Sequence, residues 1–402
     1  RKTGDPETLG LILERLGELA DYTGRPEETR GHYIEAIDSY RQVFDELHPR
    51  ILLLKSSLAT LQQAKDPEAA EVVLRQTIAE QRKLFGGSHP KLAVALNNLG
   101  NLLYERGDFA GAGRYLEESL EMKLETLSPD HPSYAITLGN YGNVKGALEE
   151  DEEAEQLYRR ALDILERRVG PQNGDYRLFL ANLGTLYLNR GDFDTATSIL
   201  EDALRGLVES VGTQHPSALT MRSNLAFIEE QRGDLEGARE SLREAITIAD
   251  GEQAGIEYSK AMLNLATLER ELGDPEAAAE LYRAIVEREG GRSQTGLFAL
   301  TYASRYAFGE GRWLEAENLA TTAVLGFQKR NDSENWRLSA LRTQALAILE
   351  QGRPREARDL LEERFAAIEA RVRDGLSSQS ALDKAKADLD RAEDALRESR
   401  AP

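Results

Sequence analysis

The chain has 402 residues, 41% hydrophobic and 30% charged, with a formal net charge of −20 and no cysteine. Disulfides, thiolate metal sites and cysteine nucleophiles are therefore excluded, and the acidic balance opposes non-specific binding to nucleic acid or to an anionic membrane. No apolar run approaches a membrane span, and Arg1-Lys2-Thr3 leads into polar sequence rather than a signal peptide. The expected location is cytoplasmic, and the missing initiator Met reads as a fragment or a processed chain.

In chain order, the pattern predicts helix–turn–helix units over about 6–46, 49–86, 90–128, 132–170, 174–212, 216–251, 255–290, 294–331 and 334–373. Their turns are centred near Gly24, Lys65, Gly107, Glu149, Gly191, Gly233, Gly273, Gly311 and Gly352. Nine prolines fall where a helix should begin: Pro6, Pro26, Pro49, Pro67, Pro90, Pro132, Pro216, Pro275 and Pro354. Proline is tolerated there because that N–H has no intrahelical partner. The pairs Gly107-Asp108, Gly191-Asp192, Gly233-Asp234 and Gly273-Asp274 lie midway through their units. Glycine suits the left-handed residue that stops a helix, and aspartate suits the N-cap of the next. Around Glu149-Glu150-Asp151 the glycine is missing, which predicts a poorer helix stop. From 377 to 400 a single amphipathic helix is expected, with Ser380-x-x-Asp383 as its capping box and Leu382, Leu389 and Leu396 seven residues apart. It should cap the last unit; the alternatives are that it pairs with a partner, or with itself in self-association, as a short coiled coil, or that it continues into a downstream domain.

Four ladders keep one register. Asn98, Asn140, Asn182 and Asn224 recur every 42 residues, and Asn264 follows after 40. Two positions on from each stand Gly100, Gly142, Gly184, Ala226 and Ala266. A third ladder runs Ala70, Ala112, Ala154, Ala196, Ala238, Ala278, Ala316 and Ala357, and a fourth Leu116, Tyr158, Leu200, Leu242 and Tyr282. Small residues at fixed places let helices approach, and large ones fill the space between them. The fold expected from this periodicity is an all-α solenoid of about nine repeats.

The stretch His89-Pro90, Ala95-Leu96-Asn97-Asn98-Leu99-Gly100, Tyr104 and Gly107-Asp108 resembles the tetratricopeptide repeat in its 42-residue, kinesin-light-chain-like form. So do Glu152–Ile164 and the connector Ser128-Pro129-Asp130-His131-Pro132. The resemblance implies a right-handed superhelix, of about one turn for this many repeats, with each unit's first helix lining a concave groove. It also implies that a peptide or partner protein binds in that groove, with asparagines of the ladder position touching it.

The candidate binding residues are Asn98, Asn140, Asn182, Asn224 and Asn264, because an amide offers both a donor and an acceptor to a peptide backbone. Neighbouring groove positions by register include Asn101, Asn143, Asn189, Phe227 and Arg270, with Val94, Asn97, Thr185, Ser223 and Lys260. The same amides could instead tie neighbouring helices together. The middle of this groove is polar and nearly uncharged, unlike the basic groove of kinesin light chains. His48, His89, His131 and His215 each precede a proline and lie too far apart to share a metal, so no metal, cofactor or catalytic residue is expected. Trp313 and Trp336 are expected in the core. The function expected is a protein–protein interaction scaffold, not an enzyme, serving as the regulatory or sensor part of a larger bacterial protein; the alternative is a stand-alone structural adaptor.

Overall fold

The structure is a computed structural model, and it describes residues 5–62, 66–249, 251–330 and 333–399. The turn expected at Lys65 lies outside the described residues. Among them the chain is all helical. In order the helices are α1 (Pro6–Tyr22), α2 (Pro26–Tyr40), α3 (Pro49–Gln62), α4 (Pro67–Phe85), α5 (Pro90–Glu105), α6 (Phe109–Thr126), α7 (Pro132–Ala147), α8 (Asp151–Val169), α9 (Gly174–Asn189) and α10 (Phe193–Val211). They continue as α11 (Pro216–Gln231), α12 (Leu235–Ile248), α13 (Gly251–Glu271), α14 (Pro275–Glu289), α15 (Gln294–Gly309), α16 (Trp313–Gln328), α17 (Glu334–Glu350), α18 (Pro354–Arg373) and α19 (Gln379–Glu398). The chain packs as two compact units, one ending at Ile228 and the other beginning at Glu229.

The turns work as the residues demand. Gly107, Gly191, Gly233 and Gly273 have φ between 78 and 86°, the left-handed region where a Cβ is unfavourable. The aspartate that follows serves two helices. Its N–H closes the first by reaching back five residues, as Asp108 N does to Leu103 O at 2.9 Å. Its carboxylate caps the second, as Asp108 Oδ1 does in accepting from Gly111 N at 2.8 Å. Where glycine is absent, Glu149 takes φ 61° itself, and Glu150 N still reaches Lys145 O at 2.9 Å. The expected poorer stop is thus replaced by a full stop made by a strained L-residue, beside which Lys145 pairs with Glu150 and, at 2.8 Å, with Glu153.

Packing follows the ladders. All eight alanines of the second-helix ladder are at most 2% exposed. In the first unit the ladder glycines face the large residue of their own second helix. A Cβ on Gly100 would lie 2.6 Å from Leu116 Cγ, one on Gly142 2.8 Å from Tyr158 Cε1, and one on Gly184 2.9 Å from Leu200 Cγ. First helices also touch one another, α3 with α5, α5 with α7 and α7 with α9, and in the second unit α13 with α15 and α15 with α17. Within each unit they lie side by side, and the ladder asparagines stand on these helices.

Helix α19 closes the second unit against α18, burying Ala385, Ala392 and Leu396. Its Asp388 accepts from Arg342 at 2.7 Å and from Arg364 at 3.2 Å. The cap is Ser378, which accepts from Ala381 N at 3.2 Å, and not Ser380. Ser380 lies inside the helix, and Asp383 instead accepts from Gln379 at 3.0 Å. Trp336 is half-buried against Phe298, and Trp313 packs on Phe308.

Candidate functional site: a polar groove between first helices

Three ladder asparagines of the first unit, Asn140, Asn182 and Asn224, point back to the preceding first helix. Asn140 Nδ2 donates to Asn97 Oδ1 at 3.0 Å, Asn182 Nδ2 to Asn143 Oδ1 at 2.9 Å, and Asn224 Nδ2 to Thr185 Oγ1 at 3.0 Å. Lys123 Nζ donates to Thr137 Oγ1 at 2.6 Å and to Ser133 O at 2.8 Å. Thr137 Oγ1 in turn donates to Asn97 Oδ1 at 3.0 Å, with Ser133 O a longer alternative at 3.4 Å. Asn97 Oδ1 accepts from Asn140 as well. Asn143 Oδ1 is similarly shared, accepting from Tyr158 OH at 2.8 Å and from Asn182. Each ladder asparagine thus keeps its carbonyl oxygen available, with no hydrogen bond to it among the described residues.

Between these bonds lies a cavity of about 400 Å³, lined among others by Tyr104, Asn143, Tyr158, Asn182, Thr185 and Asn189. Burial raises the Tyr158 phenol well above its usual range, so it stays protonated and keeps donating to Asn143. Lys123, beneath the groove, is 2% exposed, and burial pulls its pKa down to about 7.

The expected residues divide clearly. Asn143, Asn182 and Asn189 come together at this cavity, whereas Asn140 and Asn224 make the equivalent backward bonds at the neighbouring junctions. Asn98 and Asn101 are half-buried on α5, and Phe227 is 42% exposed on α11. Asn97 does not line the groove. It is one residue, or about 100°, round the helix from Asn98 and is buried under Thr137 and Asn140. Ser223 likewise turns its hydroxyl inward, where it has no partner. In the second unit Asn264 is exposed, and Lys260 pairs with Glu257 at 2.8 Å.

Arg270 lines a second cavity, of about 240 Å³, with Tyr282, Tyr302, Arg305 and Tyr306. Tyr302 stands 38 residues after Asn264 and occupies the ladder position of the next first helix. Arg305 and Tyr282 there match Thr185 and Tyr158 of the first cavity. The ladder seemed to end at Asn264 only because the spacing shortens and the residue type changes.

The four X-Pro histidines are helix caps. His89, His131, His215 and His48 accept through Nδ1 from the N–H two residues on, at 3.1, 3.1, 3.2 and 3.4 Å. Among the described residues no three histidines or carboxylates gather as a metal site, and no helix is long and apolar enough to cross a membrane.

Comparisons with known proteins agree with the helical-repeat fold. Profiles described as Tetratricopeptide repeat match residues 59–125, 91–167 and 176–251, then 260–289 and 338–363, together more than half of the chain. Tetratricopeptide repeat protein 19, mitochondrial, from Homo sapiens, is 24% identical over 113 residues, which span 28% of this chain and only 29% of that protein. Two solved structures share the fold along nearly the whole length. One is a Rap protein in complex with Competence and Sporulation Factor, 14% identical, covering 98% of this chain and 100% of that one, with a TM-score of 0.60. The other is the apo form of the quorum sensor NprR from B. thuringiensis, 13% identical, covering 90% and 98%, with a TM-score of 0.55. On its repeat ladders, its Gly-Asp turns and these matches, the chain belongs to the tetratricopeptide-repeat family.

Proposed function

We propose that this protein is an interaction scaffold whose first unit holds an extended peptide segment along the polar edge of α7, α9 and α11. The observation that carries this reading is the row of amide carbonyls at Asn140, Asn182 and Asn224. Each is oriented by a bond made through its own NH2 group, leaving the oxygen to accept from a ligand N–H. A row of fixed acceptors can take backbone N–H groups of an extended chain while reading little sequence. The Rap structure was solved in complex with Competence and Sporulation Factor, which supports a binding role for an array of this fold. In the same reading the array is the sensing part of a larger protein, and no chemistry is assigned to it.

A peptide-display library panned on the purified protein tests the proposal. The selected peptides should bind Asn189→Ala and Asn182→Ala at least about fivefold more weakly, since leaving a polar group unpaired in a desolvated site costs roughly 1–3 kcal/mol. Circular dichroism checks that both variants stay folded. Unchanged affinity in both variants would remove the groove as the binding surface.

A further inference from the structure

The two outermost described helices treat their free faces differently. Helix α19 turns its apolar stripe inward, burying Ala385, Ala392 and Leu396, and shows Lys384, Lys386, Asp390 and Asp394 to solvent. Helix α1 leaves an apolar stripe outside: Leu9 is 47% exposed, Ile12 52%, Leu16 41% and Leu19 54%. Single exposed aliphatic side chains are ordinary on a protein surface, but four that adjoin along one helix mark a contact surface.

At 100° per residue the four fall within an arc of about 80°, beside the face that α2 covers. That covered face sets Gly10 and Gly17 against Tyr40 and Tyr33 and buries Leu13 and Ala20. Glu14 lies about 180° from the middle of the arc. It accepts from Arg50 of α3 at 2.7 Å and from Tyr40 OH at 2.7 Å. The stripe therefore faces away from α3 and the rest of the first unit's layer of first helices. Between Leu9 and Leu19 the arc holds no charged residue. Arg15, at its border, is paired with Glu18 at 2.5 Å.

The spacing says what fits this stripe. Its steps are three, four and three residues, so it reads the same from either end. Against an antiparallel copy of itself, Leu9 meets Leu19 and Ile12 meets Leu16, and both stripes are covered at once. The polar caps Asp5 and Thr23 stand at its two ends and also fall opposite each other. We propose that α1 is a homodimerisation helix, pairing with α1 of a second copy about a two-fold axis at the level of Glu14. A two-fold contact requires a self-complementary patch, and steps of three and four are those of a helix–helix seam. One helix face per copy covers less than the roughly 1,200–2,000 Å² of a stable complex, so the dimer forms and dissociates with concentration.

Sedimentation velocity of the full chain from about 1 to about 200 μM tests this, and a monomer–dimer equilibrium with a Kd between about 1 and 100 μM is expected. The double change Ile12→Gln/Leu16→Gln should weaken it at least about tenfold. Circular dichroism should stay unchanged, because α1 keeps its face to α2. Raising sodium chloride from about 0.1 to about 0.5 M should tighten the dimer, since the contact is apolar and the repulsion between two chains of net charge −20 is screened. The chain has no cysteine, so disulfide trapping reads the register independently of that double variant. Ile12→Cys mixed with Leu16→Cys should form a linked dimer under mild oxidation, and each alone should form far less. Only the antiparallel register brings positions 12 and 16 of two copies within bonding reach. A monomer at every concentration, a dimer indifferent to the double change, weakening by salt, or equal linkage of Ile12→Cys alone would each overturn the proposal.

Discussion

Gly142 and Tyr158 interlock across the fourth helical pair so closely that a Cβ at 142 would sit 2.8 Å from Tyr158 Cε1. Gly142→Ala should therefore destabilise the protein by about 1–3 kcal/mol through overpacking, even though alanine is the better helix former. Gly113→Ala is the control, because its new methyl would meet Tyr141 and Val144 at an ordinary 3.8 Å. That variant should gain up to about 1 kcal/mol. Urea denaturation of both separates steric conflict from helix propensity, and equal behaviour would refute the interlock.

Glu149 holds a left-handed φ of 61° that glycine holds in the equivalent turns. Glu149→Gly should stabilise the turn by about 1 kcal/mol, since the steric strain of the L-residue outweighs the extra freedom of glycine in the unfolded chain. The denaturation midpoint should rise with its slope unchanged; a fall would mean that the glutamate side chain contributes more than its backbone loses.

Lys123 is buried with only neutral partners, and its pKa falls from 10.5 to about 7. Above pH 7 the folded state has released a proton that the unfolded chain keeps until about pH 10.5. Stability should therefore rise with pH across that window, by at most about 1.4 kcal/mol per unit. Lys123→Met should remove this slope. The comparison belongs between pH 7.5 and 9.5, before tyrosines titrate in the unfolded chain, and parallel slopes in the two proteins would count against a neutralised lysine.

His48, His89 and His215 cap helices through an unprotonated Nδ1, and burial lowers the pKa of each. The unfolded chain takes up protons first as pH falls below about 6.5, so the stability these caps give at neutral pH is lost on acidification. His89→Asn keeps a capping oxygen without titrating. It should flatten part of the loss between pH 6.5 and 5, measured by thermal melting at each pH.

Much of this was legible in the sequence because the repeat exposes its own constraints. The Gly-Asp pairs predict the turns since no other pair so readily supplies a left-handed stop and an N-cap in successive residues. The alanine ladder predicts the buried contact because only small residues recur there. Asn97 was misplaced because it adjoins Asn98 and shares its chemistry; a rotation of one residue separates core from groove, and spacing alone does not say which of two adjacent asparagines faces in. Ser378 was passed over for Ser380 because both precede the apolar stripe and only the backbone chooses the cap. Tyr302 and Arg305 escaped notice because the unit shortens to 38 residues, shifting the ladder just where its residue type changes.

The backward bonds of the ladder asparagines have a mechanical consequence. The amide of Asn182 that would meet a ligand at its oxygen is the same group that fixes α9 to α7 through Asn143. A ligand that tilts this amide to improve its own hydrogen bond must lengthen or sharpen the joint between two helical pairs. On the proposed reading, occupancy would be written into the local pitch of the first unit at α7 and α9, as load is written into the extension of a spring.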